Sequence, residues 1–364
     1  MRLDELAGTS VRVLLEHQGE TGSFVACPTF PVYRYAWFRD GAFCAHALDC
    51  AGERTAARRF HDWAADVVTA QRDRVEAAVR KLRRGERPAP DEMLPARYTL
   101  AGEIEDHDGD PWPNFQLDGY GTWLWALERH LGGAQLPASL EPAVRLTAEY
   151  LAAAWRVPCW NWWEEFDGGE HASTHAAVAA GLVSASALLG DSRYASVAAD
   201  VLEDLERRFA GNGHFVRGPG DARVDGSLLA LGTFGIDGTS TVEAVRAELV
   251  GPGGGVRRYI GDTYYGGGEW VLLTCWLALH DARAGHDAEV ERALEWIRAQ
   301  ADDDGLLPEQ SVAAPQAPEM VAPWIERWGR PASPLLWSHA MFVVLHAEIG
   351  GDHRAAAAPD ELSS

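Results

Sequence analysis

The stretch ERTAARRFHDWAADVVTAQRDRVEAAVRKLRR, residues 53–84, carries a clear periodic pattern. Its apolar residues recur at i, i+3, i+4, i+7 and i+8: Phe60, Trp63, Ala64, Val67 and Val68. That spacing puts them on one buried stripe of an α-helix. Stripes of the same period recur along the chain, and no run of alternating strand residues competes with them. The sequence therefore predicts an all-α fold.

About twelve helical segments follow from such stripes, with ends good to a few residues. They are 5–18, 40–51, 53–84, 118–131, 140–155, 171–189, 192–209, 225–232, 240–249, 269–284, 287–301 and 335–348. Several links are short, as at 51–52, 190–192 and 284–286. The links after every odd-numbered helix are long, aromatic and rich in Gly and Pro: 19–39, 85–117, 156–170, 210–224, 250–268 and 302–334.

Short links join antiparallel neighbours, so all the long links should emerge at one end of the molecule. We therefore expect six helical hairpins in a ring, an (α/α)6 barrel with one plain end and one elaborate end. Loops on a rigid scaffold usually carry function. The barrel is expected to form a single catalytic domain over residues 1–350, and the Ala-rich residues 351–364 to form a frayed tail.

Composition excludes some classes of function. The 54 acidic residues against 32 basic ones give a formal net charge of -22, which disfavours nucleic acid as a partner. The N-terminus lacks an apolar signal core, and we find no run of eighteen apolar residues. We expect a cytoplasmic protein that does not bind a membrane; the sequence does not indicate its oligomeric state.

Cysteine and histidine spacing predicts neither a metal site nor a cofactor. The five cysteines show no C-x-x-C pair and are expected to be reduced core residues. His61, His130 and His280 fall in helical patterns, which favours core or surface positions over a role as ligands. Whether calcium binds is left open.

The stretch WNWWEEFDGGEHASTH, residues 160–175, sets tryptophans beside the adjacent carboxylates Glu164 and Glu165. A core tolerates the indoles but not two unpaired anions, and a surface rarely carries so many indoles. The combination suits a pocket that stacks on an apolar ring. A further carboxylate, Glu309, stands in the last long link; it either begins a helix or faces Glu164 across a sugar ring, as in glycoside hydrolysis.

Other long links pair flat aromatic faces with polar groups. Arg39 and Asp40 either hold neighbouring sugar hydroxyls or cap the next helix. Asp118 is a second candidate helix cap. Aromatic and polar residues of the same kind stand nearby in these links: Tyr33, Trp37, Trp112, Gln116, Arg258, Asp262, Tyr264 and Trp270.

Six blocks in order resemble the glucoamylase-like glycoside hydrolases of family 15, from about residue 32 to 347. They are WFRD (37–40), WPNFQLD (112–118), WWEEF (162–166), RRYIGDTYYGGGEW (257–270), LPEQ (307–310) and PLLWSHA (334–340). The resemblance implies a barrel of six helical hairpins, with Glu164 as general acid and Glu309 as general base. It implies a substrate pocket formed by Tyr33, Trp37, Arg39, Asp40, Trp112, Gln116, Trp163, Glu165, Arg258, Tyr264, Trp270, Gln310 and Trp337.

The resemblance also implies the reaction. We expect exo-hydrolysis of short α-glucosides from the non-reducing end with inversion, isomaltose being the favoured substrate. Gly261, Glu269 and Ser311 depart from the fungal pattern and disfavour starch. Inversion requires the two carboxyl groups to stand roughly 6.5–9.5 Å apart, and we expect Glu165 and the indoles to raise the pKa of Glu164.

Several alternatives stay open. Maltooligosaccharides or trehalose are other substrates for the same carboxyl pair. A sugar isomerase or epimerase on a similar barrel would use histidines as proton carriers. Two alternatives have no catalytic activity: a glucan-binding protein and a helical-repeat scaffold. A glucose-release assay distinguishes both from an enzyme.

Overall fold

The computed structural model describes residues 1–105, 115–165 and 168–356. Over these ranges the α-helices are α1 (Leu3–Glu16), α2 (Phe38–Cys50), α3 (Arg54–Ala70), α4 (Arg72–Arg83), α5 (Asp118–Leu131), α6 (Glu141–Ala154), α7 (Ala172–Leu189), α8 (Ser192–Phe209), α9 (Thr239–Leu249), α10 (Val271–Ala284), α11 (Asp287–Gln300), α12 (Val321–Trp328) and α13 (Leu336–Ala356). A 3₁₀ helix at Gly226–Gly232 stands between α8 and α9.

The strands are two residues long: β1 (Ala36–Trp37), β2 (Arg97–Tyr98), β3 (Ala210–Gly211), β4 (His214–Phe215), β5 (Val256–Arg257), β6 (Glu269–Trp270) and β7 (Gln310–Ser311). They pair antiparallel as β1-β2, β3-β4 and β5-β6-β7. Such short strands tie the long links together, and the core itself is helical. The predicted all-α class is confirmed.

Six helical elements close an inner ring in which each contacts the next: α2, α5, α7, the 3₁₀ helix 226–232, α10 and α13, which returns to α2. An outer layer packs on this ring, with α1 on α13, α3 on α2, α6 and α8 on α7, α9 on the 3₁₀ helix and α11 on α10. The predicted (α/α)6 barrel is confirmed.

Close backbone contact joins α5 to α7 in the inner ring. A Cβ atom on Gly121 would lie 2.3 Å from the carbonyl oxygen of Ala177, and one on Gly181 would lie 2.6 Å from the Cα of Gly121. Real Cβ atoms do not approach other atoms so closely. Glycine at both positions therefore lets these two helices meet backbone to backbone.

The predicted stripe at 53–84 is buried as expected, but the helix over this range is not continuous. It breaks at Gln71, where φ is -94° and ψ is 16°, between α3 and α4. After the break α4 packs against α6, whereas α3 also contacts α2 and α5. A single straight helix could not make both sets of contacts.

Three other boundaries differ from the prediction. The segment 225–232 is a 3₁₀ helix, and the predicted link 302–334 contains α12. The last helix continues to Ala356, so the predicted tail begins with helical residues, and its remainder, 357–364, lies outside the described residues.

Two features of composition also have a structural outcome. By length and composition α7 is apolar enough to span a membrane, but 67% of it is buried inside the barrel, as expected for a core helix. The five cysteines form no disulfide; four are buried, and Cys50 is exposed, so the core prediction is wrong for Cys50.

Candidate active site

A cavity brings the long links together. It is lined by Ala26, Tyr33, Trp37, Arg39, Asp40, Trp162, Trp163, Glu164, Arg258, Trp270, Glu309, Leu335 and Trp337. The links 19–39, 156–170, 250–268 and 302–334 all contribute. Their shared cavity agrees with the expected barrel that has one elaborate end.

Glu164 and Glu309, 145 positions apart in the chain, lie on walls of this one cavity. The indole Nε1 of Trp37 donates a hydrogen bond to Glu164 Oε1 at 2.6 Å. The hydroxyl of Tyr33 donates to Glu309 Oε1 at 3.1 Å. The rings of Tyr33 and Trp37 meet edge to face with centroids 5.9 Å apart. Two adjacent aromatic residues thus hold the two carboxyl groups in one arrangement.

A tight turn built on Asn161 presents Glu164 to the cavity. The backbone N–H of Glu164 donates to the Asn161 carbonyl oxygen at 3.0 Å, and that of Glu165 donates to Asn161 Oδ1 at 2.9 Å. Glu164 has a left-handed φ of 59°, a conformation that costs a non-glycine residue on the order of 1 kcal/mol or more. The turn holds this strained residue where its side chain enters the cavity.

The small sheet β5-β6-β7 positions the opposite wall. Arg258 follows β5, Trp270 lies in β6, and Glu309 comes directly before β7. The backbone N–H of Glu309 donates to the Ala332 carbonyl oxygen at 2.8 Å, and its own carbonyl oxygen accepts from the N–H of Val271 at 3.3 Å. The sheet therefore fixes Arg258, Trp270 and Glu309 relative to one another, although they come from different parts of the chain.

Burial raises the pKa of both catalytic candidates to about 7. For Glu164 the nearby Arg39 and the Trp37 hydrogen bond oppose the effect of burial, and for Glu309 Arg258 and the Tyr33 hydrogen bond do so. Asp40 is the carboxylate that raises the pKa of Glu164 further. The expected rise of the Glu164 pKa is confirmed and comes from burial, but Glu165 is not among its main causes; the Glu165 carboxylate is bound to Arg258 and Tyr259.

We expect a Glu309→Gln variant to be more stable than the parent above pH 7. A folded-state pKa of about 7 against a usual 4.5 means that the parent loses stability as pH rises from 4.5 through 7, by at most about 3 kcal/mol. Glutamine does not titrate and escapes this loss. Thermal unfolding at pH 5 and pH 8 measures it: the gain in Tm should appear at pH 8 and shrink at pH 5.

The matched control is Glu319→Gln, the same change at an exposed residue of the same link. Its Tm should follow that of the parent at both pH values. A Glu309→Gln variant whose Tm difference from the parent is the same at pH 5 and pH 8 would contradict the raised pKa.

Arg39 is buried on the cavity wall, with 5% of its side chain exposed. Its Nη1 donates to Asp118 Oδ2 at 2.9 Å and to Gln116 Oε1 at 3.2 Å, and its Nε lies 3.5 Å from Asp40 Oδ2. The guanidinium also lies over the ring of Trp337, 5.1 Å from its centroid. Of the two alternatives for Asp40, the helix cap is not the one observed, and Asp118, the second candidate cap, makes no side-chain cap either; both carboxylates face Arg39.

Arg258 is the second buried cation of the site. It makes a two-pronged contact with Asp262, with both N···O distances 2.7 Å, and donates to Glu165 Oε1 at 2.6 Å. The rings of Trp163 and Trp270 lie 5.4 and 5.1 Å from the guanidinium. These contacts fix Arg258 beside Glu309 and bind Glu165 in a structural ion pair.

The remaining predicted residues fall into three groups. Gln116 and Gln310 are buried behind the wall, where Gln116 donates to the Asn161 carbonyl oxygen and Gln310 accepts from Gly268 N–H. Glu165 and Tyr264 line a neighbouring cavity. Trp112 lies outside the described residues.

That neighbouring cavity shares Tyr33, Trp163, Glu164 and Arg258 with the first one. Its other lining residues are Phe30, Val32, Glu165, Tyr264, Trp324, Arg327 and Trp328. Trp324, Arg327 and Trp328 belong to α12, which the sequence did not predict. Glu164 lines both cavities, whereas Glu309 lines only the first.

Sequence reasoning also missed residues that shape the first cavity. Trp162 lines it, and Asp225 accepts a hydrogen bond from the indole N–H of Trp163 at 3.0 Å. Trp162 is the first residue of the WWEEF block, so the motif itself could have identified it. Asp225 stands outside every quoted motif, and only the fold brings it to Trp163.

Comparison with known proteins gives the family of the chain. Among curated proteins, the chain is 40% identical to isomaltose glucohydrolase of Kribbella flavida, over 96% of this chain and 94% of the relative. Among solved structures, a wild-type glycosidase superposes with a TM-score of 0.90 at 39% identity, over 96% of this chain and 97% of that one. A variant glycosidase in complex with glucose gives the same values.

A bacterial glucoamylase complexed with acarbose shares the fold, with a TM-score of 0.72 at 22% identity, over 94% of this chain and 55% of that one. The model of the glycosyl hydrolases family 15 matches residues 2–322. Fold, cavity and comparisons agree, and the chain belongs to glycosyl hydrolases family 15.

Proposed function

We propose that this glycoside hydrolase removes β-glucose from the non-reducing end of isomaltose and short isomaltooligosaccharides, with Glu164 as general acid and Glu309 as general base. The observation that carries the proposal is the position of the two carboxyl groups relative to the two cavities. The relative named isomaltose glucohydrolase supports the choice of substrate.

The glycosidic oxygen of a bound disaccharide lies between the two sugar sites. A general acid must reach that oxygen, so it must stand at the junction of the sites; Glu164 does, because it lines both cavities. A general base activates water on the opposite face of the terminal sugar. Glu309 lines the first cavity and not the neighbouring one, which supports its role as the base that acts on the terminal sugar.

The cavity wall also offers polar atoms for a sugar. Glu309 Oε2 is buried and makes no hydrogen bond within the part of the chain that the structure describes, and Asp40 Oδ2 and Arg39 Nε, also without hydrogen bonds there, meet only each other in an ion pair at 3.5 Å. Buried polar atoms without partners are unfavourable, and sugar hydroxyls or the hydrolytic water would satisfy them. A substrate that lacks a matching hydroxyl would leave such an atom unpaired and bind weakly.

The chemistry needs one proton shared between the two carboxyl groups. Both have a pKa of about 7, so near neutral pH a large fraction of molecules carries a single proton on the pair. Protonated Glu164 would donate that proton to the leaving oxygen. Ionised Glu309 would accept a proton from the attacking water, which adds to the anomeric carbon from the opposite face and inverts it.

The test compares kcat/KM on isomaltose, maltose, trehalose and soluble starch in one buffer, with early product analysed by proton NMR. We expect isomaltose to give the largest kcat/KM and the first glucose released to be the β anomer. A larger value on maltose, trehalose or starch would contradict the substrate assignment. Initial α-glucose would contradict inversion, and no glucose from any of them would favour a silent binding protein.

A further inference from the structure

A cluster of three potential metal ligands lies away from the sugar cavities. Asp49, His61 and His130 each offer one ligand atom, and these atoms all lie within 4.8 Å of one another. Asp49 and His130 stand near the C-terminal ends of α2 and α5, and His61 lies in α3. Asp49 follows Arg39 by ten residues of α2, about 15 Å along the helix, so the cluster lies toward the plain end of the barrel.

His61 is the unusual member of the cluster. Its side chain is completely buried, and neither ring nitrogen has a hydrogen-bond partner among the residues that the structure describes. Its ring lies 4.9 Å from that of His130, centroid to centroid. Buried imidazole nitrogens are normally paired, because leaving them unpaired forfeits their hydration without return. A bound cation would satisfy one of these nitrogens.

We propose that Asp49, His61 and His130 bind a divalent transition-metal ion of the Zn²⁺ type. Two imidazoles and one carboxylate form a usual ligand set for such ions, with water completing the coordination. The bound ion would join two inner helices and one outer helix, α2, α5 and α3. Both histidines are buried in the core, which the sequence allowed, and the proposal adds a ligand role to that position.

One pair of ligand atoms in the cluster is already about as close as a tetrahedral ion requires, in a hydrogen bond that the ion would replace, and all three atoms lie within 4.8 Å of one another. Ligands that each stand about 2.0–2.1 Å from Zn²⁺ are about 3.3 Å apart. His130 Nδ1 is already 2.9 and 3.0 Å from the two oxygens of Asp49.

One neighbouring cation competes with a metal. Arg54 Nη1 lies 3.7 Å from Asp49 Oδ1 and its Nη2 donates to the backbone carbonyl oxygen of His130 at 2.5 Å. Because 60% of the Arg54 side chain is exposed, an ion has to displace only its long contact with Asp49. A second acidic cluster, Glu170, His175 and Asp204, differs on this point. Arg208 already pairs with Glu170 and Asp204, so the protein itself neutralises those carboxylates.

The test titrates EDTA-treated protein with ZnCl₂ by calorimetry and with CoCl₂ by visible absorption. The parent should bind one ion at this site, show the visible bands of low-coordinate Co²⁺, and gain in Tm with Zn²⁺. Asp49→Asn and His61→Gln should each weaken Zn²⁺ binding at least about tenfold, a loss seen even for residues that only support a ligand.

His280→Gln is the matched control, since His280 Nε2 already bonds to the Leu229 carbonyl oxygen outside the cluster, and it should bind Zn²⁺ like the parent. The His61→Gln variant replaces a buried residue and is at risk of misfolding. If it does not fold, the Zn²⁺ affinity of Asp49→Asn alone tests the proposal, with circular dichroism and an unchanged kcat showing that this variant folds. Equal Zn²⁺ affinity in the parent and in Asp49→Asn, or no binding to the parent, would overturn the proposal.

Discussion

Replacing Glu309 by glutamine should lower kcat on isomaltose roughly 10²- to 10⁴-fold, the usual contribution of a general base. The amide keeps the size of the side chain and the hydrogen bond from Tyr33, but it cannot accept a proton from water. Because the change removes a buried group with a raised pKa, the fold should survive. Steady-state kinetics with circular dichroism checks both points.

Glu319→Gln is again the control, with the same chemical change on the same link and no place in either cavity. Its kcat should equal that of the parent. A Glu309→Gln enzyme that retains more than about a tenth of the parental kcat would remove Glu309 as the base, given the magnitude usual for this kind of catalysis.

The second large effect is expected on stability. Arg39→Met should lower the free energy of unfolding by about 3–5 kcal/mol, because it leaves Asp118, which is fully buried, and Asp40 without their cation. Equilibrium unfolding in urea measures the change. A loss below about 1 kcal/mol, the range of exposed ion pairs, would contradict a buried ion pair at this position.

Two further variants separate the causes. Arg283→Met breaks an ion pair with Glu348 in which both side chains are more than a third exposed, and should change stability by less than about 1 kcal/mol. Arg39→Met with Asp118→Asn removes both charges and should regain much of the stability. It should stay poorly active, because the guanidinium on the cavity wall is still missing. Full activity in the double variant would show that Arg39 serves the fold alone.

The barrel was predictable from the sequence because its signals are local. The stripe from Phe60 to Val68 defines one buried helix face, and alternating link lengths place the long links at one end. The break at Gln71 was not predictable, since Val75 and Val79 continue the same apolar period and only packing against α6 requires the helix to turn. The 3₁₀ helix at 226–232 was missed for a similar reason: seven residues are too few to separate its period from that of an α-helix.

The candidate site was predictable where residues stand beside their partners in the chain. Arg39 with Asp40, and Trp163 with Glu164, reach one cavity as their motifs indicated. The pairing of Arg39 with Asp118 joins residues 79 apart, and the local pattern instead suggested a helix cap. In the sequence, Glu165 is an unpaired negative charge next to Glu164. In the structure it pairs with Arg258, 93 residues away, so the sequence alone overstated its effect on the pKa of Glu164.

The neighbouring cavity is formed in part by a helix, α12, that was not predicted from the sequence. Trp324 and Trp328 recur at i and i+4 in α12, but Pro323 and Gly329 made this part of the link read as irregular. In the structure the ring of Trp324 meets Tyr264 edge to face, with centroids 5.0 Å apart. This contact packs α12 against the 250–268 link. Residues of α12 therefore line the neighbouring cavity, which Glu164 also lines.

The division of labour between Glu164 and Glu309 is tested most directly by the leaving group. Fluoride departs from α-glucosyl fluoride without protonation, so this substrate needs the base but not the acid. Glu164→Gln should lose activity on isomaltose roughly 10²-fold or more and keep most of its activity on the fluoride, while Glu309→Gln should lose both. Equal losses on the two substrates for Glu164→Gln, or retained fluoride hydrolysis in Glu309→Gln, would contradict the assignment.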